Sequence, residues 1–126
     1  MRPPLPEYNQ SMGNVERLQE LIIQFRDARD WKQFHNPKDL AISLALEATE
    51  VLEHFQWKNK EEVEEYTESR KADIGEELAD VLFWALLLSH DLEIDIEDAF
   101  IKKMEKNEAK YPIEKSKGRH AKYTEL

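Results

Sequence analysis

The stretch that decides the fold runs from residue 72 to residue 92 and reads ADIGEELADVLFWALLLSHDL. It is the most apolar part of the chain, and it lacks the strict alternation of a half-buried strand. Its length and composition predict a helix from about Ala72 to Leu92. One narrow strip of this helix carries a tryptophan and four acids, namely Asp73, Glu76, Glu77, Asp80 and Trp84. The strip places carboxylates among apolar neighbours.

Cap signals and apolar spacing predict three further helices around this one. Asp95 caps a helix from Ile96 to about Lys110, which the pair Tyr111-Pro112 ends. Upstream, Asn36 as N-cap, Pro37 in the first turn and Asp39 at N3 start a helix that continues to about Trp57. Before it, apolar residues recur at steps of three and four from Asn14 to Phe34 and predict an amphipathic helix.

Four helices with short connections predict an all-α fold, a four-helix bundle within one domain spanning residues 1–126. The sequence predicts a Pro-rich extended lead at residues 1–13 and a basic polar tail without periodicity at residues 113–126. The charged segment Lys58–Lys71 fits either a solvated helical connector or a loose loop, and its acids Glu61 to Glu68 are expected to face solvent.

Composition excludes several classes of protein. The chain has 126 residues, 27 acidic against 18 basic, and a formal charge of -9. Without cysteine it has no disulfide framework, thiolate zinc site or cysteine nucleophile. The acidic balance excludes a nucleic-acid polymer as partner, although a phosphate bound through a metal ion stays compatible with it. The absence of a signal peptide and of a membrane-length apolar run predicts a soluble, cytoplasmic protein without a membrane partner.

The acids inside apolar helices suggest a metal site. Glu47 and Glu50 are neighbours on one face of the second helix, as Glu77 and Asp80 are on the third. Neither helix contains a Lys or Arg at residues 39–57 or 72–101. Buried carboxylates without cations are costly, and oxygen-only ligands favour Mg²⁺ or Mn²⁺. The alternative is an exposed stripe that pairs with Lys or Arg from the first or fourth helix.

These residues resemble the all-α nucleoside triphosphate pyrophosphohydrolases of the MazG type. Glu47-x-x-Glu50, followed after 26 residues by Glu77-x-x-Asp80, matches the paired acidic motif of that family. Further strings look like its dCTP pyrophosphatase branch: WKQFH at 31–35, EVLEHFQW at 50–57, EELADVL at 76–82, Lys103-Met104 with Asn107, KYP at 110–112 and KYT at 122–124. The resemblance covers roughly residues 15 to 126.

The resemblance implies a homotetrameric helical bundle that uses Mg²⁺, with Mn²⁺ as an alternative ion. It implies hydrolysis of a deoxynucleoside triphosphate, dCTP first and dATP or a modified dCTP next, to the monophosphate and pyrophosphate. Glu47, Glu50, Glu77 and Asp80 would be the metal ligands and catalytic residues, with Glu50 as the first choice of general base. Leu46 stands where many members have another Glu, and Trp84 replaces a Tyr of the branch. The second departure touches the base pocket.

Two groups of residues are candidates for binding the nucleotide. Lys103, Asn107 and Lys110 recur on one face of the fourth helix, which is either a solvated face or, with Tyr111, a phosphate and nucleotide contact. The candidate base pocket contains four aromatic or imidazole side chains, Trp31, His35, Trp57 and Trp84. Tryptophan stacks on any base, so selectivity would depend on hydrogen bonds from His35 and Asn107. Core or interface packing is the alternative for the tryptophans.

Two other functions are compatible with the pattern. The first is another substrate of the same superfamily, such as dUTP, dUDP or phosphoribosyl-ATP, which the short chain and the string Phe55-Gln56-Trp57 argue against. The second is a non-catalytic helical module whose apolar faces mediate oligomerisation. A scaffold has no reason to keep four acids in this arrangement, and so the hydrolase is the favoured interpretation.

Overall fold

The computed structural model describes residues 13–126, and within this range the chain is helical without a strand. All but Gly13 of the predicted extended lead lies outside the described residues. The described residues form six α-helices: α1 Asn14–Ala28, α2 Pro37–Glu53, α3 Lys60–Ser69, α4 Lys71–Asp91, α5 Ile96–Lys110 and α6 Ile113–Ser116. Two 3-10 turns cover Lys32–Phe34 and Tyr123–Glu125. The predicted all-α class is confirmed.

The helix starts lie where the cap signals predicted them. The Asn36 side chain accepts a hydrogen bond of 3.0 Å from the Asp39 amide at the start of α2. At the start of α5, the Asp95 carboxylate accepts one of 3.1 Å from the Asp98 amide. These caps satisfy amides that have no partner within the first turn of a helix.

The predicted ends of the first two helices were wrong. α1 ends at Ala28 instead of Phe34, because Asp30 adopts a left-handed backbone with φ of 54°. α2 ends at Glu53 instead of Trp57, and Trp57 itself has φ of 84°. A residue with positive φ cannot continue a right-handed helix. Trp31, His35 and Trp57 consequently lie in connections.

The charged segment after α2 takes its helical alternative. α3 begins with a capping box, in which the Asn59 side chain accepts from the Glu62 amide and the Glu62 side chain accepts from the Asn59 amide. Its acids are exposed, as expected for a solvated face. The tail, for which no element was predicted, contains α6 and the second 3-10 turn.

The chain forms two compact units, one ending at Glu93 and one from Ile94 to Leu126. In the first unit α4 packs along α2 and also against α1. Its apolar core is small and contains the side chains of Ile22, Leu40, Ile74, Leu86 and Leu87. The amide of Gln19 connects α1 to α4 by donating to the Leu86 carbonyl and the Ser89 hydroxyl. α4 is therefore the central element of this unit.

The expectation that α2 is covered on most sides was wrong for the single chain. Leu46 is 60% exposed and Leu52 is 55% exposed on α2, and on α4 Leu78 is 54% exposed. α2 has one extensive packing partner, α4, and apolar side chains on its other faces are exposed within the described chain. Between residues 13 and 126, no helix has the length and apolar content needed to cross a membrane.

Candidate active site

The packing of α2 against α4 brings three of the four predicted acids together. One carboxylate oxygen from each of Glu47, Glu77 and Asp80 lies within 4.8 Å of the others. Glu47 and Glu77 are half-buried, whereas Asp80 is exposed, contrary to the burial expected from its apolar sequence neighbours. The Oε2 atoms of Glu47 and Glu77 are buried without a hydrogen-bond partner. We name these three residues with Glu50 the acid cluster.

The fourth predicted acid, Glu50, interacts with Glu47 and Glu77. Burial raises the pKa of Glu47 above its usual range, and proton sharing with Glu50 and repulsion by its neighbours add to this. For Glu77, the hydrogen bond shared with Glu50 is the main cause of a raised pKa, followed by burial and repulsion. Glu53 also repels Glu77, which adds a fifth carboxylate to the local field. The cluster disfavours its own ionisation.

No described cation neutralises the acid cluster. Within residues 13–126 the ion pairs join Arg26 to Asp91, Arg70 to Asp73, His90 to Asp91 and Lys102 to Asp98. The sequence alternative, an acidic stripe paired with Lys or Arg, therefore has no support at these residues. Carboxylates without a cation form a set that suits a hard divalent ion, and the buried Oε2 atoms of Glu47 and Glu77, which lack a hydrogen-bond partner, fit such a ligand.

An apolar cavity of about 490 Å³ opens beside the acid cluster. Its lining comes from α1, the following connection, α2 and α4, and contains Leu21, Ile22, Phe25, Trp31, Glu47, Asp80, Phe83 and Trp84. Glu47 and Asp80 belong to both the cavity and the cluster. A ligand that fills the cavity with an apolar group therefore reaches the carboxylates with its next atoms.

The aromatic side chains of the cavity form one continuous series of edge-to-face contacts. Ring centroids are 5.6 Å apart from Trp31 to Phe25, 6.1 Å from Phe25 to Phe83, and 4.9 Å from Phe83 to Trp84. The series ends on the imidazole of His35, 5.8 Å from Trp84. This geometry is favourable for aromatic pairs and gives the cavity a rigid wall.

Three of the four predicted base-pocket residues lie in this region. Trp31 and Trp84 line the cavity, and His35 contacts Trp84. The Nδ1 atom of His35 is buried without a partner, and burial, assisted by the charge of Arg26, holds the pKa of His35 below its usual range. Trp57 is 92% exposed and is not among the lining residues. Its predicted contact with the base stays a prediction.

The remaining predicted residues belong to the second unit. Asn107 donates to the Met104 sulfur at 3.9 Å, and the Lys110 ammonium lies 4.8 Å from the centroid of the Tyr123 ring. Tyr111 meets the same ring edge-on at 6.1 Å. Lys103 is exposed. The proposed contact of these residues with a nucleotide stays a prediction.

Sequence reasoning missed several members of the cavity wall, among them Leu21, Phe25 and Phe83. Leu21 and Phe25 lie four positions apart and so share one face of α1, as Asp80 and Trp84 share one face of α4. That spacing was visible in the sequence. It could not show which faces of α1 and α4 meet, because apolar positions cover much of both helices.

Comparison with known proteins gives a consistent picture. Residues 42–126 match the MazG-like family. The chain is 37% identical over 114 residues to mouse dCTP pyrophosphatase 1, covering 89% of this chain and 67% of that protein. For the cattle protein of the same name, identity is 36% over 118 residues, covering 92% and 70%. A crystal structure of a pyrophosphatase from Archaeoglobus fulgidus superposes with a TM-score of 0.76 at 42% identity, covering 84% of this chain and 99% of that one.

The chain belongs to the MazG-like family. The match includes the segment that carries all four acids of the cluster, and the structural likeness extends to most of the described helices. The family predicted from the acidic motif is therefore confirmed.

Proposed function

We propose that this protein hydrolyses a deoxynucleoside triphosphate, dCTP first, to the monophosphate and pyrophosphate. It is a hydrolase of nucleotide anhydrides, the class to which its similarity to dCTP pyrophosphatases points. One observation carries the proposal: two carboxylates of the acid cluster, Glu47 and Asp80, also line the aromatic cavity. A nucleotide with its base against Trp31 and Trp84 would present its phosphates to the acids.

The acid cluster requires a cation before it can accept a triphosphate. Glu47, Glu50, Glu77 and Asp80 would hold a divalent ion, with Mg²⁺ proposed ahead of Mn²⁺. When bound, such an ion supplies positive charge to phosphate oxygens and acidifies a bound water. Glu50 lies against both Glu47 and Glu77, and is the proposed acceptor of the proton from the attacking water. The water oxygen bonds to the α-phosphorus as the bond to the bridging oxygen breaks and pyrophosphate leaves.

Base selection is proposed to depend on few hydrogen bonds. The cavity is lined mostly by apolar and aromatic side chains, which bind any base through stacking. His35 contacts Trp84 and is the proposed hydrogen-bonding group, so dCTP, dATP and a modified dCTP remain the substrates to compare.

The apolar side chains left exposed on α2 and α4 support assembly into an oligomer, proposed as a tetramer. In it, Trp57 would reach a base only from another copy. The cytoplasmic location stays a prediction.

Two alternative functions can be compared with the geometry of the acid cluster. A dUTP or dUDP hydrolase would use the same cluster with a different base preference. A non-catalytic oligomerisation module would explain the exposed apolar side chains but not the two buried carboxylate oxygens without partners. That observation favours an enzyme over a scaffold.

The deciding experiment measures pyrophosphate release from canonical and modified dNTPs with Mg²⁺ and with a chelator. We expect release that depends on the ion, with dCTP among the best substrates. The variants Glu50→Gln and Asp80→Asn should lose at least about 100-fold in kcat while keeping the wild-type circular dichroism spectrum. Glu64→Gln, an exposed acid on α3, is the matched control and should retain full activity. Full activity in Glu50→Gln or Asp80→Asn contradicts the assignment of the acid cluster.

A further inference from the structure

An ion pair between the buried Arg26 and the half-buried Asp91 joins the C-terminal ends of α1 and α4. Arg26 is 1% exposed, and its two terminal nitrogens donate to the two carboxylate oxygens of Asp91 at 2.7 and 3.0 Å. Burying such a pair gives little net stability over an apolar contact, although loss of one partner leaves a charge stranded. Stability alone therefore does not explain why this ion pair is present.

The ion pair lies beside His35. A second cavity, of about 380 Å³, has both His35 and Asp91 in its wall, together with Lys32, Asn36, Pro37, His90 and Glu93. The imidazole of His35 also contacts Trp84, which lines the first cavity. His35 thus connects the ion pair to the aromatic wall beside the acid cluster.

The charges around His35 have opposite effects on it. After burial, the positive charge of Arg26 is the next cause that lowers the pKa of His35, and the negative charge of Asp91 acts the other way. Lys32 on the 3-10 turn, and His90 and Glu93 at the end of α4, face the same cavity. A neutral imidazole has one donor and one acceptor nitrogen, whereas the charged form only donates.

We propose that Arg26 and Asp91 are positioning residues that act through His35 on recognition of the nucleobase. The bidentate pair fixes the end of α1 against the end of α4 and holds His35 against Trp84 in its neutral form. Neither residue needs to touch the substrate. The inference rests on the proposed function, because it assigns a base to the cavity next to Trp84.

The first test follows His35 itself and needs no turnover. The side-chain titration of His35 is measured by NMR in the metal-free full chain, and His35→Gln serves to assign the signal among the four histidines. Arg26→Met should raise the pKa of His35, because one cause that lowers it is gone while Asp91 stays. A matched control is Arg70→Met, which breaks the exposed pair with Asp73 and should leave His35 unchanged. An unchanged pKa of His35 in Arg26→Met overturns the proposal.

The second test separates binding from chemistry. Arg26→Met and the double variant Arg26→Met/Asp91→Leu, which strands no charge, should raise KM for the preferred dNTP about tenfold and leave kcat within about twofold. The pH profile of kcat/KM in Arg26→Met should shift to higher pH. In a His35→Gln background, Arg26→Met should add no further change in KM. A wild-type KM in the folded double variant, or a full additional effect in His35→Gln, overturns the positioning role. Inactivity of the wild-type protein toward every nucleotide overturns the proposed function itself.

Discussion

In the metal-free protein, burial and the neighbouring carboxylates disfavour the ionised form of Glu77, with the hydrogen bond shared with Glu50 as the main cause. Its raised pKa means that the folded chain holds a proton on this group more readily than the unfolded chain does. The free energy of unfolding therefore decreases as pH rises through the usual glutamate range toward the folded pKa, and the repulsion is fully present above it. Glu77→Gln should raise the Tm in chelator at about pH 7, with a smaller gain at lower pH, where more of wild-type Glu77 carries a proton.

The same variant should respond less to metal. Mg²⁺ should raise the Tm of the wild-type protein, because an ion that binds only the folded state stabilises it. In Glu77→Gln this increase should be small or absent, as one carboxylate ligand is gone. Thermal denaturation with and without Mg²⁺ measures both effects. Glu76→Gln, the exposed neighbour on α4, should keep the wild-type response. An undiminished Mg²⁺ response in Glu77→Gln would contradict its role as a ligand.

At the scale of single residues, the sequence located the acids better than their surroundings. Absence of Lys and Arg from residues 39–57 and 72–101 predicted carboxylates without cations, and Glu47, Glu77 and Asp80 do meet. Asp80 is nevertheless exposed, because sequence neighbours two positions away lie on other faces of a helix. His35 was predicted from the sequence as a hydrogen-bonding residue of the base pocket. Its buried Nδ1 and the charge of Arg26 beside it depend on contacts that span the chain.

Helix α3 depends on its first turn more than on packing. It has ten residues, is rich in acid and has no fully buried side chain, so packing stabilises it little. A helix of this length is only marginally stable without packing. The Asn59 side chain accepts from the Glu62 amide at 2.9 Å. Asn59→Ala should lower the free energy of unfolding by about 1 kcal/mol and speed amide exchange throughout α3. Asn59→Asp keeps the acceptor and should stay close to wild type. Unaltered exchange in Asn59→Ala would contradict this account.

At the scale of elements, starts were predictable and two ends were not. Asn36, Asn59 and Asp95 act on amides within three residues, so cap geometry follows from local sequence. The end of α1 instead follows from the left-handed residue Asp30. After α2 ends at Glu53 the chain forms a turn that contains a second left-handed residue, Trp57. Both lie within stretches whose apolar spacing suits a longer helix. Neither residue is a glycine, the type that usually signals such a backbone.

At the scale of the whole molecule, the described residues leave apolar side chains exposed on α2 and α4. Ile42 and Leu46 on α2, and Leu78 and Leu82 on α4, are each between 47% and 60% exposed. Each pair is separated by four residues and so presents one apolar face. Exposed apolar faces of this kind mark interaction surfaces, and a symmetric contact between copies covers the same surface on each partner. These two faces are the surfaces that we expect the proposed oligomer to cover.

This assembly can be tested by placing charge on the two faces. Leu46→Glu/Leu82→Glu should shift the mass measured by light scattering from an oligomer toward the single chain. It should also lower the Tm, because buried charges oppose association while the monomer alone buries few apolar side chains. Ala41 is exposed on another face of α2. Ala41→Glu adds the same charge there and should leave the mass unchanged. An oligomer of unchanged mass in the double variant would show that these faces are not the interface. A wild-type protein that is monomeric at all concentrations would contradict the assembly itself.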